Sequence, residues 1–268
     1  MILNSKPAFS LRILYFYSLI LSFVLTACNI KEHNHVHRIK KEIVYQIAEI
    51  DSTGNTKNPG QNIDTSYVEF LFKSYELVNI KSLDSSIKVN LMYADTLNFL
   101  KYNLYDGLRN AYFNCDAALR VASAQYYLKQ INPDLSLLIL DASRPQHIQQ
   151  MMWDSLKMHP DKKTFYLSRP EETSMHNYGC AVDLTIVNTK TNQWLDMGTD
   201  FDFFGNLSEP IYETKFLKSG ELSQEAYQNR LLLRKVMQLA KMNPITSEWW
   251  HFSLCTKTEA IAKYRLIK

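Results

Sequence analysis

Two short stretches hold the residue types that metal-assisted hydrolysis needs. Ser174-Met175-His176-Asn177-Tyr178-Gly179-Cys180-Ala181-Val182-Asp183 supplies an imidazole and a carboxylate, and Glu248-Trp249-Trp250-His251 supplies another of each. His176, Asp183 and His251 form a three-ligand set that suits one Zn²⁺ ion and leaves a fourth position for water. Gly179 is where the chain can turn without a Cβ penalty, so that His176 and Asp183 point at one spot. Glu248 lies three residues before His251. The two approach each other if the chain turns there and diverge if it runs as a straight strand. Near a water on the metal, Glu248 is a general base; otherwise it is a surface carboxylate beside two aromatics. Arg144 follows the apolar run that ends at Leu140. Its guanidinium either meets a developing oxyanion or pairs with Asp141 or another carboxylate.

The scaffold has to bring these three regions together. Leu135 to Leu140 reads as a buried strand. Pro145 then opens a helix, with Ile148, Met151, Met152 and Leu156 on its inner face. Ala181, Asp183 and Thr185 alternate with Val182, Leu184 and Ile186, the pattern of a strand with one functional face. Upstream, Ile87, Val89 and Leu91 alternate as a strand would. Asn110 to Ile131 has helical spacing, with Ala111, Cys115, Ala118, Leu119, Ala122 and Tyr126 on one face. Glu225 to Met242 is a further helix carrying Leu232, Val236 and Leu239. Phe252-Ser253-Leu254 continues from His251 as a final strand. The mixture predicts an α+β fold, with helices packed on a mainly antiparallel sheet.

The chain has 268 residues, 46% hydrophobic and 21% charged, which is a globular composition. The formal net charge of +3 comes from scattered rather than striped basic residues, so nothing points to nucleic acid. Lys6 and Arg12 precede an apolar run from Ile13 to Leu25, the pattern of a secretory signal, too short for an ordinary membrane span. The run ends in Leu25-Thr26-Ala27-Cys28, which resembles a bacterial lipobox whose cysteine becomes the lipidated first residue. Residues 1–28 are therefore read as a lipoprotein signal, 29–65 as a polar tether, and 66–268 as the catalytic domain. A lipid anchor on Cys28 places that domain in the bacterial envelope, facing the periplasm. The remaining cysteines, Cys115, Cys180 and Cys255, fit no zinc knuckle. Cys180 reads as a small buried side chain rather than a ligand. One disulfide among the three stays open in an oxidising envelope.

Taken together, these motifs resemble the zinc D,D-peptidases of peptidase family M15, most closely the D-alanyl-D-alanine dipeptidases of the vancomycin-resistance type. The family's Ser-x-His-x-x-Gly-x-Ala-x-Asp pattern is matched at Ser174, His176, Gly179, Ala181 and Asp183, and Glu248 to His251 matches the dipeptidase form of the second motif. Arg144-Pro145, Met197 to Phe203, Tyr93-Ala94, Asn98-Phe99, Asn229-Arg230 and Arg234 resemble further family segments. The resemblance spans about residues 76 to 255. It implies the Hedgehog/D,D-peptidase-like fold with a zinc site at the sheet and a small D,D-dipeptide as substrate. It also implies zinc ligation by His176, Asp183 and His251, Glu248 as base and Arg144 as stabiliser of the tetrahedral intermediate. Ser174 would then hold the substrate's C-terminal carboxylate, and Asp202, helped by Tyr93, its α-ammonium. A buried carboxylate awaiting an ammonium disfavours longer or N-blocked substrates. The lipobox leader is not a feature of the cytoplasmic resistance enzymes, which points toward envelope processing or scavenging. Two other readings stay in view: a D,D-carboxypeptidase or endopeptidase trimming peptidoglycan stems, and a non-catalytic lipoprotein that binds cell-wall peptides.

Overall fold

The computed structural model describes residues 67–268 except Leu97, Tyr102, Asp106 and Phe165. The signal and tether expected over 1–65, with Cys28, lie outside the described residues. A short ribbon pairs β1 (Val78–Asn79) with β3 (Tyr112–Phe113). The main sheet contains β2 (Lys88–Val89), β4 (Leu135–Asp141), β5 (Ala181–Asn188), β8 (His251–Ser253) and β7 (Asn243–Pro244), in that spatial order. A further strand, β6 (Gln193–Trp194), pairs with the far end of β5. Among the described residues, β2 and β4 run parallel and the other pairs of this sheet are antiparallel. This is the expected α+β class with a mainly antiparallel sheet.

β4 is buried along its whole length and β5 up to its last residue, because helices and loops cover both faces. The pairing of these two strands contains one irregularity that matters for function. Ile139 stands opposite Leu184, yet Asp141, not Leu140, stands opposite Asp183. Side chains alternate faces along a strand, so an uninterrupted register would turn Asp141 away from Asp183. The extra residue at Leu140 acts as a β-bulge and re-aims Asp141 to the same face as Asp183.

The helix Cys115–Ile131 begins later than its apolar spacing suggests. The Asn114 side chain caps it by accepting from the Ala117 N–H at 2.9 Å, and residues 112–113 are spent on β3. Its buried face is built from Ala117, Ala118, Val121, Ala122, Ala124, Gln125 and Leu128, while Tyr126 is exposed. It packs on the helix Gln224–Leu239, whose inner residues include Leu233, Val236 and Met237; Leu239 is exposed. In the helix Gln146–Ser155, Gln149 is buried and Met151 exposed. The helical pattern in the sequence thus found each element but missed its rotation, because apolar residues at the rim satisfied the same spacing. Between Tyr75 and Tyr93, the strand pairing to the main sheet narrows to Lys88–Val89. No helix among the described residues is long and apolar enough to cross a membrane.

The first motif forms a one-turn 3₁₀ helix, Met175–Tyr178, entered through a Ser174 capping box and left through Gly179. Gly179 has φ +64°, and a Cβ there would sit 2.7 Å from the Asn114 backbone nitrogen and 3.0 Å from Ser143 Oγ. Both the conformation and the space demand glycine. Gly179→Ala should lower unfolding stability by about 2 kcal/mol or more, read by denaturant titration. A change within experimental error would mean that the turn is not fixed as described.

Candidate active site

Asp183 stands opposite Asp141 on β4 and opposite His251 on β8, so one row of polar side chains crosses three strands on one face. The turn at Gly179 brings His176 over that row. His176 Nε2 lies 3.4 Å from Asp183 Oδ2 and 3.3 Å from His251 Nδ1, and His251 Nδ1 lies 2.9 Å from Asp183 Oδ1. These three residues offer ligand atoms that all fall within 4.8 Å of one another. The outer ring nitrogens are occupied: His176 Nδ1 is 2.6 Å from the Ala142 carbonyl oxygen, and His251 Nε2 is 3.0 Å from Ser253 Oγ. With those outer nitrogens engaged, His176 Nε2 and His251 Nδ1 are the ring atoms turned toward Asp183 and available to a metal. Two imidazoles and a carboxylate converging in this way fit a divalent metal ion. Burial works against ionisation of Asp183, but the charges and hydrogen bonds of His176 and His251 outweigh it and hold its carboxyl below the ordinary range.

Of the two readings the sequence left open for Arg144, the structure shows the ion pair with Asp141. Arg144 is buried and pairs with Asp141, donating from Nε at 3.0 Å and from Nη2 at 2.6 Å to Oδ2. It also lines the same cavity as the metal-type cluster, with Nη2 3.9 Å from Asp183 Oδ2. Gln149 Oε1 accepts from Arg144 Nη1 at 2.8 Å, and the Tyr105 hydroxyl donates to Asp141 Oδ1 at 2.6 Å. Burial disfavours the guanidinium charge, yet Asp141 leads a set of groups that more than compensate, so Arg144 stays charged. The main chain is locked as well: Arg144 N–H donates to the His176 carbonyl at 3.0 Å, and Asn177 Nδ2 donates to the Arg144 carbonyl at 2.7 Å.

Glu248 precedes a bend at Trp249–Trp250, and its Oε2 lies 3.9 Å from His251 Nδ1. Desolvation pushes its carboxyl up to about 8; His251 opposes the shift, and Asp183 and Asp202 add to it. Asp202 accepts a 2.9 Å hydrogen bond from the Tyr93 hydroxyl and has a left-handed backbone, φ +59°. Desolvation raises its carboxyl well above the usual range, the Tyr93 bond and Arg144 oppose this, and the fields of Asp183 and Asp141 reinforce it. Ser174, Tyr93, Arg144, Glu248 and Asp202 line one cavity of about 230 Å³ together with His176, Asp183 and His251. An aromatic wall closes part of it, through Phe99–Phe204 and Tyr166–Phe204 ring contacts at 5.3 and 4.8 Å.

Comparison with known proteins agrees with this geometry. The profile described as D-ala-D-ala dipeptidase, peptidase family M15, matches residues 73–265. The chain belongs to that family. It is 32% identical over 179 residues to the D-alanyl-D-alanine dipeptidase of Escherichia coli, covering 67% of this chain and 84% of the relative. It is 29% identical over 131 residues to the D-alanyl-D-alanine dipeptidase of Enterococcus faecium, covering 44% and 61%. A Synechocystis protein of the same name is 27% identical over 162 residues, covering 50% and 65%.

Several residues of this M15 peptidase site escaped the sequence reading as site residues. Tyr105 and Gln149 gave no signal, since a tyrosine in a loop and a glutamine on a helix are unremarkable. Asp141 entered the sequence reading only as a partner for Arg144, the pairing that the structure shows. The Met197 to Phe203 segment is held from behind by Arg230, which is fully buried. Arg230 Nε donates to the Met197 carbonyl at 2.7 Å and Nη2 to the Leu207 carbonyl at 3.0 Å. Glu213 balances Arg230 and takes two bonds from Arg234 Nη2, at 2.8 and 2.9 Å. Ser253 is the simplest of the supporting contacts to test. Removing its hydroxyl frees the outer nitrogen of His251, so Ser253→Ala should weaken metal binding roughly 10- to 100-fold in a chelator competition. Unchanged affinity would mean that Ser253 does not orient the ring.

Proposed function

We propose that this chain is a D-alanyl-D-alanine dipeptidase that takes zinc at His176, Asp183 and His251. The observation that carries the reading is the single small cavity lined at once by this cluster, Glu248, Arg144 and Asp202. A bound zinc ion supplies Lewis acidity and makes a water molecule easier to deprotonate near neutral pH. Glu248 takes the proton of the attacking water and passes a proton to the leaving amine nitrogen. Its place beside His251 lets one carboxyl serve both directions of transfer. Arg144 meets the negative charge that develops on the carbonyl oxygen. Asp141 and Gln149 already fix its guanidinium, so little reorganisation is needed as the charge appears.

The remaining residues choose the substrate. Ser174 borders the cavity and is placed to help hold the C-terminal carboxylate. Asp202 accepts from the Tyr93 hydroxyl, and its burial and the nearby Asp183 carboxylate disfavour its charge. The α-ammonium of a dipeptide supplies the missing cation, whereas a longer or N-blocked peptide leaves the carboxylate without one. This favours a dipeptidase over a carboxypeptidase or endopeptidase that acts on peptidoglycan stems. The presence of Glu248 beside the cluster likewise favours an enzyme over a cell-wall-peptide-binding lipoprotein. The lipobox at Leu25 to Cys28 supports anchoring in the envelope with the catalytic domain facing the periplasm, where such a dipeptidase would process or scavenge D,D-dipeptides.

The direct test is D-alanine release from D-Ala-D-Ala by the zinc-loaded protein. Glu248→Ala should lower kcat by roughly 10²- to 10⁴-fold with the metal retained. Release from stem pentapeptides but not from the dipeptide would replace this reading with a carboxypeptidase. Silence on both would leave the binding protein. For Asp202, KM should fall as pH rises in the metal-saturated wild type, because ionising a raised carboxyl creates the ammonium's partner. Asp202→Asn should show a much higher KM without that pH dependence, and an unaltered profile would remove Asp202 from ammonium binding.

A further inference from the structure

Two cysteines that the chemistry above does not use lie behind the metal-type cluster. Cys180 sits between His176 and Asp183, and Cys255 follows β8, which begins at His251. The strands bring them together. Ala181 pairs with Ser253, and the Leu254 N–H donates to the Cys180 carbonyl at 2.8 Å, one step further along the same ladder. The chain bends at Leu254–Cys255, and both cysteines enter one apolar cluster with Tyr178, Ala260, Leu254 and Tyr264. Cys180 is fully buried, with its Sγ accepting from Asn114 Nδ2 at 2.9 Å, whereas Cys255 is half-buried. Both are free thiols here.

We propose that Cys180 and Cys255 are a covalent modification site, an intramolecular disulfide that forms when the chain meets a small-molecule or protein disulfide. The exchange balances in two steps. Cys255 Sγ, the accessible sulfur, loses its proton to solvent and attacks one sulfur of the incoming disulfide, forming a mixed disulfide and releasing the first thiol. Cys180 Sγ then loses its proton and attacks Cys255 Sγ, forming the internal bond and releasing the second thiol. Two protein thiols are oxidised and one external disulfide is reduced to two thiols. Burial pushes the Cys180 thiol well up, so the second step is slow, and the same burial shields the finished bond from reductants. The link closes the loop formed by residues 180–255 and joins the segment bearing His176 and Asp183 to the one bearing His251. It therefore staples the two parts of the cluster, and it does so independently of which substrate the site takes.

The test is to incubate the purified protein with oxidised glutathione, alkylate the remaining thiols, and map the peptides without reduction. The expected result is a Cys180–Cys255 cross-linked peptide and a Tm raised by on the order of 10 °C over the reduced protein. The oxidised protein should also release its zinc to a chelator more slowly. Cys255→Ser should lose both the link and the Tm shift, and Cys115→Ser should keep both. Alkylation of both cysteines, a glutathione adduct on Cys255 that never resolves, or a link through Cys115 would each overturn the assignment.

Discussion

Two carboxylates, Asp141 and Asp183, stand opposite each other on neighbouring strands in the buried centre of the sheet. Like charges so placed repel, and a low-dielectric interior strengthens the repulsion. The site is arranged around that conflict. Arg144 and the Tyr105 hydroxyl answer Asp141, while His176 and His251 converge on Asp183. A guanidinium held on one carboxylate and a cation-binding cluster built on the other are thus two responses to one constraint. The bulge at Leu140 creates the constraint by turning Asp141 to the functional face. Without it, Arg144 would lose the partner that holds it beside Asp183.

The two halves of the proposed chemistry rest on different supports. The cluster and Arg144 are tied to the sheet and to each other, through the Ala142 carbonyl, the Arg144 main chain and Asn177. Asp202 sits on a loop whose anchor is the buried Arg230 with its counter-charge Glu213. A loop can change its side chains without disturbing the sheet, so substrate choice can vary while the cluster stays fixed. The two tryptophans of the second motif divide between these supports. Trp250 lines the cavity that holds the cluster, and Trp249 donates from Nε1 to Thr199 Oγ1 at 2.8 Å in the loop that leads to Asp202.

Much of the site was legible because its residues are chemically unusual in sequence. A histidine and an aspartate flanking a glycine, followed far downstream by a glutamate and a histidine in a tryptophan-rich turn, admit few purely structural readings. The strands β4 and β5 were equally plain, since apolar runs that long are fit for little else. What the sequence concealed were relations between elements. The bulge at Leu140 has no local signature, as any residue of that run could have been the extra one. The faces of the helices Cys115–Ile131 and Gln224–Leu239 shifted because Tyr126 and Leu239 fit the apolar spacing yet lie at the rim. Gln149 and Tyr105 acquire a role only when tertiary packing sets them against Arg144 and Asp141. The contact between Cys180 and Cys255 likewise depends on the register of β5 with β8, which no spacing encodes.

The account depends on Asp183 of β5, His251 of β8 and His176 of the turn before β5 building one metal centre. Anomalous diffraction at the zinc edge from crystals of the protein supplied with one equivalent of zinc tests it most directly. The account predicts one strong peak between His176 Nε2, a carboxylate oxygen of Asp183 and His251 Nδ1. A peak elsewhere on the chain, or none at this position, would contradict it.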